Sequence, residues 1–278
     1  MSSPLKGVVL HPACLPGRFG CGDLGPEARQ WLDVLGDAGV HSWVLPVHVE
    51  DLNLLSFELL HHDGALLAAD MSMLPVFDNV DVNLAAVHEV RWAFLHLAAR
   101  RFVCQCDASP LLRRSLEGFS DDESQWLDDA ALFGALKDDA GGREWHTWPE
   151  DIRLRTAGAM AAAMVALEPQ IEERKALHYL LSRQWRLLRA HAQKAGVKLL
   201  ALRRHHEGNV SMEGWTGDAA SLSDGRAIQM LDGLVSEADL TTPEWLDGAS
   251  LFGHTQREGW RFNWSDVNEA VLRQLVGA

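Results

Sequence analysis

The chain has 278 residues, 47% of them hydrophobic, and a formal net charge of -14, which is enough for a full-sized core in one large domain or two modest ones. The acidic balance would repel a phosphate backbone or an anionic lipid surface, and no basic stripe opposes it, so nucleic acid and membrane surfaces are excluded as partners. No apolar run reaches the ~18 residues of a membrane span, and the opening MSSPLKGVVLHPACLPG is too briefly apolar for a signal peptide, which makes the cytoplasm the expected location.

In chain order, GVVL at 7–10 reads as a short buried strand, and HPACLPGRFGCGDLG at 11–25 as a loop rich in Gly, Pro and Cys. A helix then opens with Pro26 in its first turn. Ala28, Trp31, Leu32 and Leu35 recur at helical spacing on one face, and Gly39 is placed to end it. SWVLPV at 42–47 is a second strand, completing the strand, crossover helix, strand unit that builds parallel sheets with functional loops at the strands' C-terminal ends.

Residues 83–101, 124–139 and 157–167 are expected to be helical, separated by acidic or Gly-rich joints. A longer helix begins near Glu172, turns Leu177, Leu180, Leu181, Trp185 and Leu188 inward, and stops at Gly196 before a third strand. After Arg203 the chain is Gly- and Asp-rich, with Trp215, Trp245, Trp260 and Trp264 scattered through it and a final helix expected at 266–275. Expected divisions are 1–78 for the first strands and helix, 79–170 for a helical insertion, and 171–278 for a third strand-helix unit with an irregular C-terminal segment.

Cys14, Cys21, Cys104 and Cys106 contain no C-x2-C pair, and reduced, mostly buried thiols are expected in place of two disulfides or a thiolate metal site. His61-His62 and His205-His206 are adjacent pairs whose members point to different sides of an element, so no metal or other cofactor is expected.

Several segments carry a resemblance: VVLHPACLPGRFGCGDLGPEARQWLDVLGDAGVHSWVLPV near the start, SF at 56–57, GALLAADMSML with Asp70, WLDDAALFGALKDDAGGREWHTWPEDIRLR, and RQWRLLRAHAQKAGV before the third strand. Together they resemble the 4-alpha-glucanotransferases called amylomaltases or disproportionating enzymes. The similarity fades after about Arg226 and covers roughly four fifths of the chain, but only the N-terminal half of a typical family member. It implies an α/β fold, a partial or degenerate (β/α)8-type (TIM) barrel with a large helical insertion, in which 11–25 is the first strand-to-helix loop. A complete barrel needs at least ~200 residues before insertions, so exposed sheet edges are expected, to be covered by other segments or another chain.

The departures bear on chemistry. Where the family has a Gly-rich loop with a DSPYQ-like segment after its second strand, this chain reads HVEDLNLLSF. Tyr179, the single Tyr of the sequence, has the helical context of a packing residue. Against the family's GDIPIF and HDSADVW, Leu202 replaces the Asp, Arg203 and Arg204 the Ile-Pro, Asn209 the His and Val210 the next Asp, while Ser211 and Trp215 match. Retaining transfer needs two carboxyl groups about 5 to 5.5 Å apart, one nucleophile and one acid/base. The family's Arg-x-Asp-His motif is missing, and the likeness of Glu237 and Asp239 to its later acid strand is read as coincidence.

The expectation is therefore a catalytically inactive relative that acts as a partner-binding or glucan-linked scaffold, with a second copy, an active glucanotransferase or a maltodextrin as partners. Trp215, Ser211 and His48 are the candidate sugar contacts, and no catalytic residue is assigned. The other tryptophans, with Trp215, make either a stacking platform or core. The alternative is an active 4-alpha-glucanotransferase using Glu50, Asp51, Glu207, Glu213 or Glu237, alone or with another subunit. A thiol enzyme built on Cys14 with His11 or His48 lacks a recognisable nucleophile elbow.

Overall fold

The computed structural model describes residues 7–15, 17–75, 77, 84–203, 212–216, 221–241 and 245–247. The chain divides into two compact units: Met1–Phe94 with Leu181–Arg204 and Ser223–Ala278, and Leu95–Leu180 with His205–Leu222.

The first unit is built on a parallel sheet. Its strands are β1 (Gly7–Val9), β2 (Ser42–Leu45), β3 (Lys198–Arg203), β4 (Gly233–Ser236) and β5 (Trp245–Asp247), in the order β4-β3-β2-β1-β5. Val8 sits opposite Trp43 on one side and Leu246 on the other, and Leu200 lies opposite both Val44 and Gly233. Burial on both faces of such a sheet accounts for the near-continuous apolar runs of β1 to β3. A parallel α/β sheet with many helices is thus present, with five strands among the described residues where three are legible in the sequence. The two additional strands come from the segment expected to be irregular. β5 occupies the free side of β1 and β4 that of β3.

Helix α1 (Pro26–Asp37) buries Ala28, Trp31, Leu32, Val34 and Leu35, and Gly39, at φ +71°, turns the chain into β2. It crosses the end of α9 (Glu168–Ala195) so closely that a Cβ on Gly36 would lie 2.6 Å from the Ala195 carbonyl oxygen. His191 and Asp33 meet at 2.7 Å across the same crossing. Short helices α2 (Phe57–His62) and α3 (Ala68–Met73) follow β2, and α4 (Leu84–Ala108) begins in this unit. Its core holds the fully buried Trp31, Trp43, Trp185 and Phe57.

The second unit is helical, comprising the rest of α4, α5 (Pro110–Asp122), α6 (Ser124–Asp139), α7 (Glu150–Arg153), α8 (Ala157–Ala166), the first part of α9, and α10 (Met212–Thr216). The first two boundaries between the units fall inside α4 and α9. α9 is one continuous helix that starts at Glu168, four residues before the expected start. α5, absent from the sequence reading, starts with Pro110 and a Ser109 cap. Leu132, Leu136, Trp148, Met160, Leu167 and Trp215 are buried together as its core. The predicted helix at 266–275, together with Trp260 and Trp264, lies outside the described residues.

Candidate functional site

In parallel sheets the functional loops gather at the strands' C-terminal ends, here the segments after β1 and β2. The first loop is drawn in tightly. A Cβ on Gly17 would fall 1.9 Å from the Cys21 carbonyl oxygen, and one on Gly25 would fall 2.3 Å from Ser56 Oγ, so only glycine allows these approaches. The imidazole of His11 accepts the Ala13 N–H at 3.0 Å, which caps a short helical turn at Pro12–Cys14. Leu24 donates its N–H to the Leu54 carbonyl at 3.0 Å, joining the two loops.

Asp23 lies at this junction, 4% exposed, and accepts the Gly25 N–H at 2.9 Å. The Arg91 guanidinium of α4 stands 3.7 Å from its other oxygen. Arg91 is 1% exposed, donates to the Asn53 and Leu55 carbonyls at 2.8 and 2.6 Å, and lies 4.7 Å from the centre of the Phe57 ring. One arginine thereby ties the loop after β1 to the loop after β2. Burial pushes the Asp23 carboxyl up to about 7 against the opposing attraction of Arg91. Burial also raises the neighbouring Cys21 thiol, which makes a poor nucleophile of it. Gln184 of α9 completes the junction: its carbonyl accepts the Ser56 N–H at 2.7 Å and its amide donates to the Ser56 carbonyl at 3.2 Å.

The candidate acids are largely occupied by structural work. Glu50 forms an ion pair with Arg226, which is 5% exposed on α11 (Ser221–Met230). Asp51 caps the turn at Leu52–Leu54, accepting both the backbone and side-chain N–H groups of Asn53 at 2.9 and 2.8 Å. Glu237 is exposed just after β4. Asp239 accepts the Ser236 N–H and O–H, which hold its carboxyl below the usual carboxylate range. Glu213 belongs to α10, and Glu207 is outside the described residues. Leu202 is half-buried, and Arg203 pairs with Asp224 at 2.9 Å.

Of the three candidate sugar contacts, His48 belongs to the first unit and Trp215 to the second. His48 is exposed where the chain leaves β2, while Ser211 is outside the described residues. For Trp215 the two readings are a stacking platform and core, and its burial fits core. It is 4% exposed, donates its indole N–H to the Ile152 carbonyl at 3.2 Å, and has the Arg155 guanidinium 4.2 Å from its ring centre. Trp148 and Phe133 complete an aromatic group around it. Its large apolar area is buried in the core of the helical unit and is not offered to a ligand. Trp245 is half-buried in β5.

Among the described residues no three His, Cys, Asp or Glu side chains gather as a metal site; none of the four cysteines is in a disulfide, and Cys106 alone of them is buried, which corrects the expectation of mostly buried thiols. His61 meets the Leu66 carbonyl at 2.9 Å while His62 stands 3.8 Å from Asp63, so the adjacent pair has separate surroundings. Sequence reasoning missed Asp23, Arg91, Gln184 and Arg226. For Arg91 a signal existed: a lone cation in the otherwise apolar run VRWAFL needs a buried partner.

The sequence model of the 4-alpha-glucanotransferase family matches residues 10–204, which include the loop after β1, strands β2 and β3, and most of the helical unit. The chain belongs to that family. The 4-alpha-glucanotransferase of Thermus thermophilus is 33% identical over 208 residues, covering 70% of this chain and 41% of the relative. The chloroplastic/amyloplastic 4-alpha-glucanotransferase of Solanum tuberosum is 28% identical over 281 residues, covering 93% of this chain and 48% of the relative. That second similarity extends well past Arg226, where the sequence reading placed its end. The chain spans about half the length of these relatives. Among solved structures, the amylomaltase of Streptococcus agalactiae in complex with acarbose superposes with a TM-score of 0.67 at 24% identity, over 77% of this chain and 46% of that one. This places the fold close to amylomaltase. No helix of the described residues is long and apolar enough to cross a membrane.

Proposed function

We propose that this protein acts on alpha-1,4-glucans as a 4-alpha-glucanotransferase, moving glucan segments between maltodextrins, and that its parallel sheet is part of a (β/α)8-type barrel. The observation that carries this reading is the family match over residues 10–204, which takes in both loops tied together by Arg91. In the proposed reaction a carboxylate attacks the anomeric carbon, a second carboxylic acid protonates the departing glycosidic oxygen, and the glycosyl unit passes to an acceptor hydroxyl whose proton returns to that second group. The structural bonds of Glu50 and Asp51 make them poor candidates for either role. The two carboxyl groups would come from other residues of this chain or from a polypeptide that completes the barrel. This chain would contribute the first wall of the glucan site, with His48 at its rim.

A second reading is a non-catalytic relative that binds a glucan, a second copy or an active glucanotransferase. The engagement of Glu50 by Arg226 favours it, because a carboxylate at a strand end has become part of the scaffold. Incubation of the purified protein with maltotriose, following glucose release and longer maltodextrins, separates the two. Products that persist through stringent purification support transfer. Their absence would overturn the first reading, and glucan binding measured by calorimetry would then test the second.

A further inference from the structure

Helix α8, AGAMAAAMVA, contains no charged or hydrogen-bonding side chain. A helix apolar on all sides is ordinarily buried on all sides, yet only Met160 and Ala163 of α8 are buried. Alanine on an exposed helix face is explained by its helix propensity. The larger side chains are not: Met164 is 49% exposed, Val165 is 79% exposed, and Leu154 just ahead of the helix is 64% exposed. Beside this face the same unit contains a cavity of about 540 Å³ between α5, α6, α8 and α9. Its apolar lining comes from Leu116, Leu132, Met164 and Ile171, so Met164 belongs to both features.

The rim has a definite sign. Glu117, Asp121, Asp128, Glu168 and Glu172 line the cavity with two cations, Arg113 and Lys175. Both cations are already matched, Arg113 by Glu172 and Asp107 and Lys175 by Asp128. Among the described residues no ion pair engages Glu117, Asp121 or Glu168. An apolar floor with carboxylates around it suits a ligand with apolar anchors on one side and ammonium or guanidinium groups flanking them. A second copy of this chain is a poor match, because two molecules of charge -14 repel.

We propose that this groove of the helical unit docks a basic amphipathic helix of another protein, with its apolar face against Met164, Leu116 and Ile171 and its cations on Glu117, Asp121 and Glu168. This is helix-in-groove recognition, with charge supplying selectivity and association rate.

The test uses the full chain and three labelled synthetic helical peptides of about five turns: a Leu/Lys amphipath, its Leu/Glu counterpart, and a Lys/Ser peptide without an apolar face. Fluorescence anisotropy should show saturable one-to-one binding of the Leu/Lys peptide alone, weakening as salt rises. Met164→Asp and the double variant Glu117→Lys, Asp121→Lys change exposed or rim positions and should each weaken binding by about tenfold or more, with unchanged circular dichroism. The proposal is overturned if the Lys/Ser peptide binds equally well, since the acidic surface alone would then suffice. It is also overturned if no peptide binds, if both variants bind like the parent, or if sedimentation shows a dimer of the protein that Met164→Asp splits, which would make the face a self-association surface.

Discussion

Removing the Arg91 guanidinium would leave Asp23 buried without its cation and two loop carbonyls without their donor. Replacing Arg91 with Met should therefore lower stability by about 3 kcal/mol, read as a fall in the urea midpoint. Asp23 also gives the fold a pH signature. Its carboxyl is raised from 3.8 to about 7, so between those limits the folded chain keeps a proton that the unfolded chain has released. This contribution to stability is fully present below 3.8, declines as pH rises and is lost above about 7. Subtracting the urea midpoints of Asp23→Asn from those of the parent across that range should leave a falling difference, and a flat one would reject the assignment. Trp215 is tested by packing: Trp215→Ala should cost about 3 to 5 kcal/mol in the unfolding of the helical unit, whatever sugar is added.

At the scale of elements, the crossing of α1 and α9 depends on an absent side chain. Gly36→Ala would gain up to ~1 kcal/mol of helix propensity, but its Cβ would press on the Ala195 backbone 2.6 Å away. Over-packing of this kind costs about 1 to 3 kcal/mol, and a net lowering of the melting temperature is expected. The same elements indicate what a sequence discloses. α1 was legible because its apolar spacing, Pro26 and Gly39 all agree, and the end of α9 because Gly196 supplies the left-handed turn, at φ +73°. β4 and β5 were not, because GLVS and WLD sit in a Gly- and Asp-rich segment without the longer apolar runs GVVL and SWVLPV that mark β1 and β2. They are held by pairing to β3 and β1, which is information from elsewhere in the chain. The site divides in the same way. The Gly-rich first loop could be placed from its composition, whereas the junction of Asp23, Arg91 and Gln184 joins residues far apart in sequence. Trp215 was visible as a large aromatic, but its exposure depended on partners such as Phe133 and Trp148.

At the scale of the molecule, β5 covers one side of β1 and β2 the other, so the first strand of the chain is interior to the sheet. A protein ending at Thr241 would expose that edge. It should self-associate in gel filtration under conditions where the full chain elutes as a smaller species; an unchanged elution volume would show that β5 is dispensable. The placement of β1 also orders events in time. Val8 leaves a ribosome long before its neighbour Leu246. Until then the growing polypeptide can pair β1 with β2, but not on its other flank. Loop closure over so long a separation is slow, so the arrival of β5 decides when β1 is sealed, and a chaperone that shields β1 during synthesis would have most to protect just before β5 emerges.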